Sequence, residues 1–168
     1  MQYGRVHTRA VLLAGHSRHK LSFLFPAQRC YELMLQRALE RKTFGKYLWE
    51  HGGTQEMIAD SVTDLEAARL LTLSCAAAMD SVGVKQARDK IAGIKVAVPE
   101  LTYRVVDRAV QIFGGAGVMD DFVLCRALAG LRTLRIADGP DAVHRMTVAK
   151  MEIKKAKAQL QGSSRSRL

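Results

Sequence analysis
Apolar residues recur every three or four positions through two consecutive stretches, residues 54–82 and 85–113, with only Gly83 and Val84 between them. Ile58, Val62, Leu65, Ala68, Leu71, Cys75, Met79 and Val82 share one side of the first. Ile91, Ile94, Val98, Leu101, Val105, Ala109 and Ile112 stay in phase through the second. A helical stripe of this kind is stable only when it is covered by another, because packing of the apolar face supplies most of a helix's stability. The first helix, with Thr54 as its cap and Gly83 as a left-handed stop, spans about 40 Å. The joint is so short that the second folds back antiparallel, and Pro99 predicts a kink or a division near its middle.

Three further helices fit the rest of the chain. Pro26 opens one that runs to Lys42 with Tyr31, Met34, Leu35, Ala38 and Leu39 on one stripe, ending at a Thr43 Phe44 Gly45 turn. Another covers residues 122–133, with Phe122, Cys125, Leu128, Ala129 and Leu131 apolar. The last covers residues 141–160, with Val143, Met146, Ala149, Ile153, Ala156 and Leu160 inside and Lys150, Lys154, Lys155 and Lys157 toward water. No segment alternates with period two. The expected class is therefore all-α, a bundle of long antiparallel helices, arranged as an atypical segment 1–25, a helical domain 26–160 and a mobile basic tail 161–168.

Composition narrows the function classes. With 168 residues, 48% of them apolar, the chain is long enough for one domain with a substantial core, and no apolar run reaches the length of a membrane span. The net charge of +10 favours anionic partners, but the basic residues are scattered and only 6% of residues are aromatic, which argues against a nucleic-acid platform. Cys30, Cys75 and Cys125 lie far apart with no C-x-x-C spacing, so neither a disulfide framework nor a zinc site is indicated. His16 and His19 have a chelating spacing without an acidic or cysteine partner nearby, and no metal is expected. Ser166 Arg167 Leu168 is a one-step variant of the S-K-L address, giving an expected peroxisomal location with the mitochondrion as the alternative.

Chemistry concentrates in the turn from Arg135 to His144. Asp138 precedes Gly139, whose backbone turns sharply, and Pro140 and Asp141 start the last helix. A carboxylate held there is poised to remove a proton if apolar walls surround it. Gly114 Gly115 Ala116 Gly117 follows a helix rather than a strand, which excludes a dinucleotide fingerprint of the Rossmann type.

Four ordered motifs carry a resemblance. Glu40 to Lys46 (ERKTFGK), Gln55 to Asp60, Glu66 to Leu71 (EAARLL) and Gln111 to Gly117 (QIFGGAG), followed by Ile136 to Arg145, resemble the C-terminal helical domain of acyl-CoA dehydrogenases. They are most similar to the branch containing family members 10 and 11. The resemblance implies α,β-dehydrogenation of an acyl-CoA thioester with FAD as hydride acceptor, delivery to an electron acceptor, and a homo-oligomer, dimer or tetramer, with FAD at the subunit interface. It implies Asp138 as the base, where many relatives have glutamate, and Gly139 against the thioester. It also implies that Arg41, Thr43 and Phe44 touch the FAD of a neighbouring subunit, and that Gln111, Gly114 and Gly115 meet its adenosine end. Pro140 replaces a threonine common in the family, and Gly52 a glutamine. The family has a helical and a β domain ahead of this region, so the expectation is a fragment that is not active alone, with residues 8–29 departing from the family's first helix. The alternatives are a non-catalytic helical oligomerisation module and a basic nucleic-acid-binding domain.

Overall fold
The structure, a computed structural model, describes residues 24–165. His16, His19 and the Ser166 Arg167 Leu168 sequence lie outside the described residues. The elements in order are α1 (Leu24–Glu40), β1 (Lys42–Thr43), β2 (Lys46–Tyr47), a 3-10 turn (Leu48–Glu50), α2 (Gly52–Val82), α3 (Arg88–Phe113), a second 3-10 turn (Gly114–Val118), α4 (Leu124–Leu134) and α5 (Asp141–Arg165). The all-α bundle is as expected, with one addition. Lys42 pairs with Tyr47 and Thr43 with Lys46 in a tiny antiparallel hairpin whose two loop residues, Phe44 (φ 51°) and Gly45 (φ 80°), both adopt left-handed backbone. Strands of two residues carry no period, so only the turn was legible.

Polar ties fix the helix directions. Lys90 Nζ donates to Ser74 Oγ (3.3 Å), while Arg104 and Arg108 reach Asp64 at 3.0 and 2.7 Å, which makes α2 and α3 antiparallel. Arg37 near the end of α1 lies over the Phe113 ring at the end of α3, whereas Leu24 packs against the cluster that takes Ile94 and Val98 from the first half of α3, so α1 runs parallel to α3. Phe122 meets Phe113 edge-on at 4.8 Å, and Lys95 Nζ donates to the Leu134 carbonyl, so α4 descends antiparallel along α3. Lys155 bonds Asp89 at 2.5 Å, and α5 therefore also runs antiparallel to α3. The long third helix is the axis on which the others pack.

One core cluster joins Met34, Leu65, Val105, Val106, Ala109, Phe113, Leu124 and Leu131 from four helices, and a second joins Ala68, Cys75, Met79, Ala87, Ile94 and Val98. A fully buried Leu or Val side chain contributes about 1.5–3 kcal/mol relative to an exposed one. Pro99 does not divide α3, which runs unbroken with Pro99 buried inside it. Thr102 Oγ1 donates to the Val98 and Pro99 carbonyls, at 2.8 and 3.3 Å.

Other boundaries move by small amounts. α1 stops at Glu40, before the hairpin. α2 starts at Gly52 with His51 as its cap, because His51 Nε2 is held against Thr43 of the hairpin (3.3 Å to the carbonyl), and Thr54 is buried in the first turn. Gly83 has positive φ (85°), but its ψ of 162° is extended rather than helical. In α5 the phase is corrected: Val143, Met146, Ile153 and Leu160 are exposed, and His144, Thr147, Val148 and Met151 are the half-buried face. α5 packs on α3 through its first half, and from Glu152 onward every residue with a described side chain is exposed. The helix continues to Arg165, past the expected start of a mobile tail at residue 161.

Candidate functional site
Six residues, Arg135 to Pro140, separate α4 from α5, and both ends of this turn are tied down. The Leu134 carbonyl, at the end of α4, receives the Lys95 ammonium. Arg135 then bridges two elements, reaching Glu100 of α3 at 2.8 Å and Asp141 of α5 at 2.7 Å. The Asp141 hydrogen bond, with Glu100 beside it, raises the hold of Arg135 on its proton above the ordinary guanidinium value. Asp141 is buried, and its second oxygen, Oδ1, has no hydrogen-bond partner among the described residues.

Asp138 and Gly139 form the apex. Asp138 adopts φ 54°, a left-handed conformation that Asp tolerates, and its carbonyl lies 3.2 Å from His144 Nε2 one turn into α5. Gly139 has φ +100°, and a Cβ there would come within 3.2 Å of His144 Nε2. Pro140 then leads into α5, where Val143 N–H bonds its carbonyl at 3.0 Å. Asp138 is exposed, and Ile136 before it is 59% exposed, so the described residues do not build apolar walls around the carboxylate.

The other predicted residues gather at the opposite end of α3. Arg41, Thr43 and Phe44 lie on the hairpin that follows α1, and Phe44 is 97% exposed. Gln111, Gly114 and Gly115 lie at the end of α3 and are all exposed. Arg37 over Phe113 links these two turns. Lys95, beside the Asp138 turn, stands eighteen residues before Phe113, and at helical rise that is about 27 Å. Within one chain, Asp138 and the Arg41 and Gly115 turns therefore face different sites.

The two turns suit a flat anionic cofactor such as FAD. No carboxylate among the described residues pairs with Arg41, leaving a planar cation able to make two parallel bonds to a phosphate. Gly115 has neither positive φ nor any atom within 4 Å of an added Cβ, so packing among the described residues does not demand a glycine there. A glycine in such an open position leaves room for a ligand to approach the backbone closely. Gly117 is different, because a Cβ would lie 2.5 Å from the Val110 carbonyl oxygen. No group of three metal-ligating side chains occurs among the described residues, and no helix is long and apolar enough to cross a membrane.

Lys95 and Glu100 were not anticipated from the sequence. Lys95 is 5% exposed, and burial lowers its hold on its proton, opposed by the negative charges of Asp138 and Asp141. The available signal was spacing, since Lys95 lies three or four positions from Ile91, Ala92, Val98 and Pro99 on the apolar side of α3.

Known proteins match this architecture. Residues 9–152 match the family described as acyl-CoA dehydrogenase, C-terminal domain; the match takes in nearly all of residues 8–29, which were expected to depart from the family's first helix. Acyl-CoA dehydrogenase family member 11 of Rattus norvegicus is 44% identical over 146 residues, covering 87% of this chain and 19% of that protein. A solved structure from Mycobacterium abscessus, assigned as an acyl-CoA dehydrogenase, superposes with a TM-score of 0.82 at 41% identity, covering 84% of this chain and 35% of its own. PigA, solved with FAD and proline, superposes at 0.75 with 25% identity, covering 84% and 36%. The chain thus spans about a fifth of the curated relative and about a third of the solved ones. With its helix order, its two motif-bearing turns and a family match over most of its length, the chain belongs to the acyl-CoA dehydrogenase family, an FAD-dependent oxidoreductase family, and corresponds to its C-terminal helical domain.

Proposed function
We propose that this domain serves the α,β-dehydrogenation of an acyl-CoA thioester, with Asp138 as the base that takes the α-proton. The observation that carries this reading is the Asp138 Gly139 apex, two left-handed residues that present a carboxylate beside a backbone with no side chain at the mouth of α5. Gly139 lets the planar thioester lie close, and a backbone N–H of the turn can stabilise the oxygen as enolate charge develops. A positioned base of this kind is worth about a hundred- to ten-thousandfold in rate. FAD, when bound, accepts the hydride from the β-carbon. Arg41, Thr43 and Phe44 hold the cofactor of a neighbouring subunit, and Gln111, Gly114 and Gly115 contact its adenosine end. Apolar walls around Asp138 come from outside this domain.

The test is Asp138→Asn placed at the corresponding position of a full-length relative. Solvent exchange of the thioester α-proton is lost while flavin content stays constant; unchanged exchange refutes the base. A second reading, a helical oligomerisation module, is favoured by the apolar residues α2 leaves exposed, including Leu70 at 62% and Leu73 at 45%. It predicts that the purified chain is oligomeric and gives no flavin absorbance after incubation with FAD.

A further inference from the structure
We infer that Lys95 is a positioning residue for the Asp138 turn: its ammonium, buried between α3 and the end of α4, pins the Leu134 carbonyl from which the turn departs. The Asp138 and Asp141 carboxylates act on that charge from the turn and from α5. The inference deepens the proposed role of Asp138 and rests on it for its functional meaning, though its physical content can be measured separately.

The anchor falls where the chain needs one. Leu134 ends α4, and the last carbonyls of a helix have no partner within it and carry the negative end of its dipole. A cation donating to that carbonyl therefore fixes the point from which the turn departs, four residues before Asp138. The backbone then has three restraints in sequence: Lys95 on Leu134, Arg135 clamped by Glu100 and Asp141, and the Asp138 carbonyl against His144.

Charge pairing around the turn is uneven. Facing Lys95 and Arg135 are three carboxylates: Glu100 from α3, Asp138 from the turn and Asp141 from α5. Arg135 bonds Glu100 and Asp141 directly. Asp138 acts on the Lys95 charge through space and makes no direct ion pair among the described residues. The carboxylate assigned to proton removal is thus the one of the three that Arg135 does not bond. Burying an ammonium carries a desolvation cost, and one placed at this junction acts on both the backbone and the acid.

The experiment uses the 168-residue chain, isotopically labelled and followed by NMR. In Asp138→Asn, a change at an exposed turn position, the titration midpoint of the Lys95 ammonium falls, because an opposite charge that favoured the protonated form is gone. An unmoved midpoint overturns the inference, since a purely space-filling lysine does not sense that carboxylate. In Lys95→Met the carbonyl signal of Leu134 and the amide signals of residues 135–139 shift while those of α2 stay in place; a folded variant with these signals unmoved also overturns it. Where Lys95→Met does not fold, the Asp138→Asn titration alone decides. Neither readout involves a thioester or a flavin. Loss of the base reading, seen as unchanged α-proton exchange in the full-length relative, is therefore a separate result.

Discussion

Replacing Gly139 with Ala should loosen the Asp138 turn, and the cost can be built from two observations. The position has φ +100°, where an L side chain is strained by about 1–2 kcal/mol. The new methyl would also sit 3.2 Å from His144 Nε2, so the ring must give way by a few tenths of an ångström. That ring is 3.2 Å from the Asp138 carbonyl, and displacing it forfeits a hydrogen bond worth about 0.5–1.5 kcal/mol. Together the variant loses about 1.5–3.5 kcal/mol, which for a chain of this size lowers the melting temperature by roughly 3–14 °C. Gly130→Ala is the control: Gly130 lies inside α4 with nothing within 4 Å of an added Cβ, and a helical alanine stabilises by about 0.5–1 kcal/mol. Thermal unfolding by circular dichroism measures both, and hydrogen exchange locates the loss to residues 135–144. Equal stability of Gly139→Ala and the unmodified chain, or destabilisation by Gly130→Ala, would refute the reasoning.

Other outcomes test the rest of the fold. Leu124 is fully buried between α3 and α4, so Leu124→Ala should cost about 2–5 kcal/mol by denaturant titration. Burial pushes the Cys30 thiol up to about 11, against a smaller opposing effect of Arg29; a thiol reagent at pH 8 should therefore label half-buried Cys125 first and reach Cys30 only on unfolding. The hydrogen bond from Lys155 holds the Asp89 carboxyl below its ordinary value. Its stabilisation is therefore present above the unfolded value near 3.8 and disappears as pH falls through the lower folded one. An acid-unfolding series on Lys155→Met should show a weaker loss of stability below about pH 4 than the parent chain does.

The α2–α3 pair was readable because its stripes persist over many turns, long enough for the helical period to outvote single residues such as Val62 and Val82, which turn out exposed. α5 was harder. Its sequence offers one apolar face through Met146, Ile153 and Leu160 and another through Val148 and Met151, and packing against α3 selects the second. Propensity has no means of making that choice. The Asp138 apex was legible because glycine and proline punctuate the chain there, but its support was not. Lys95 and Asp141 are charged residues at core positions, and a charge read alone points to solvent. The Gly115 turn was noticed by its motif, and its lack of any packing demand for glycine emerged only from coordinates.

The length of α3 has a genetic consequence. Because it carries the Asp138 turn near one end and the Arg41 and Gly115 turns at the other, the proposed roles would have each polypeptide lend pieces to two separate reaction centres. In a mixed dimer of full-length subunits, one altered at Asp138 and the other at Arg41, both lesions fall in the same centre and the second centre is left whole. Two alleles that are each inactive alone would thus restore part of the activity when expressed together.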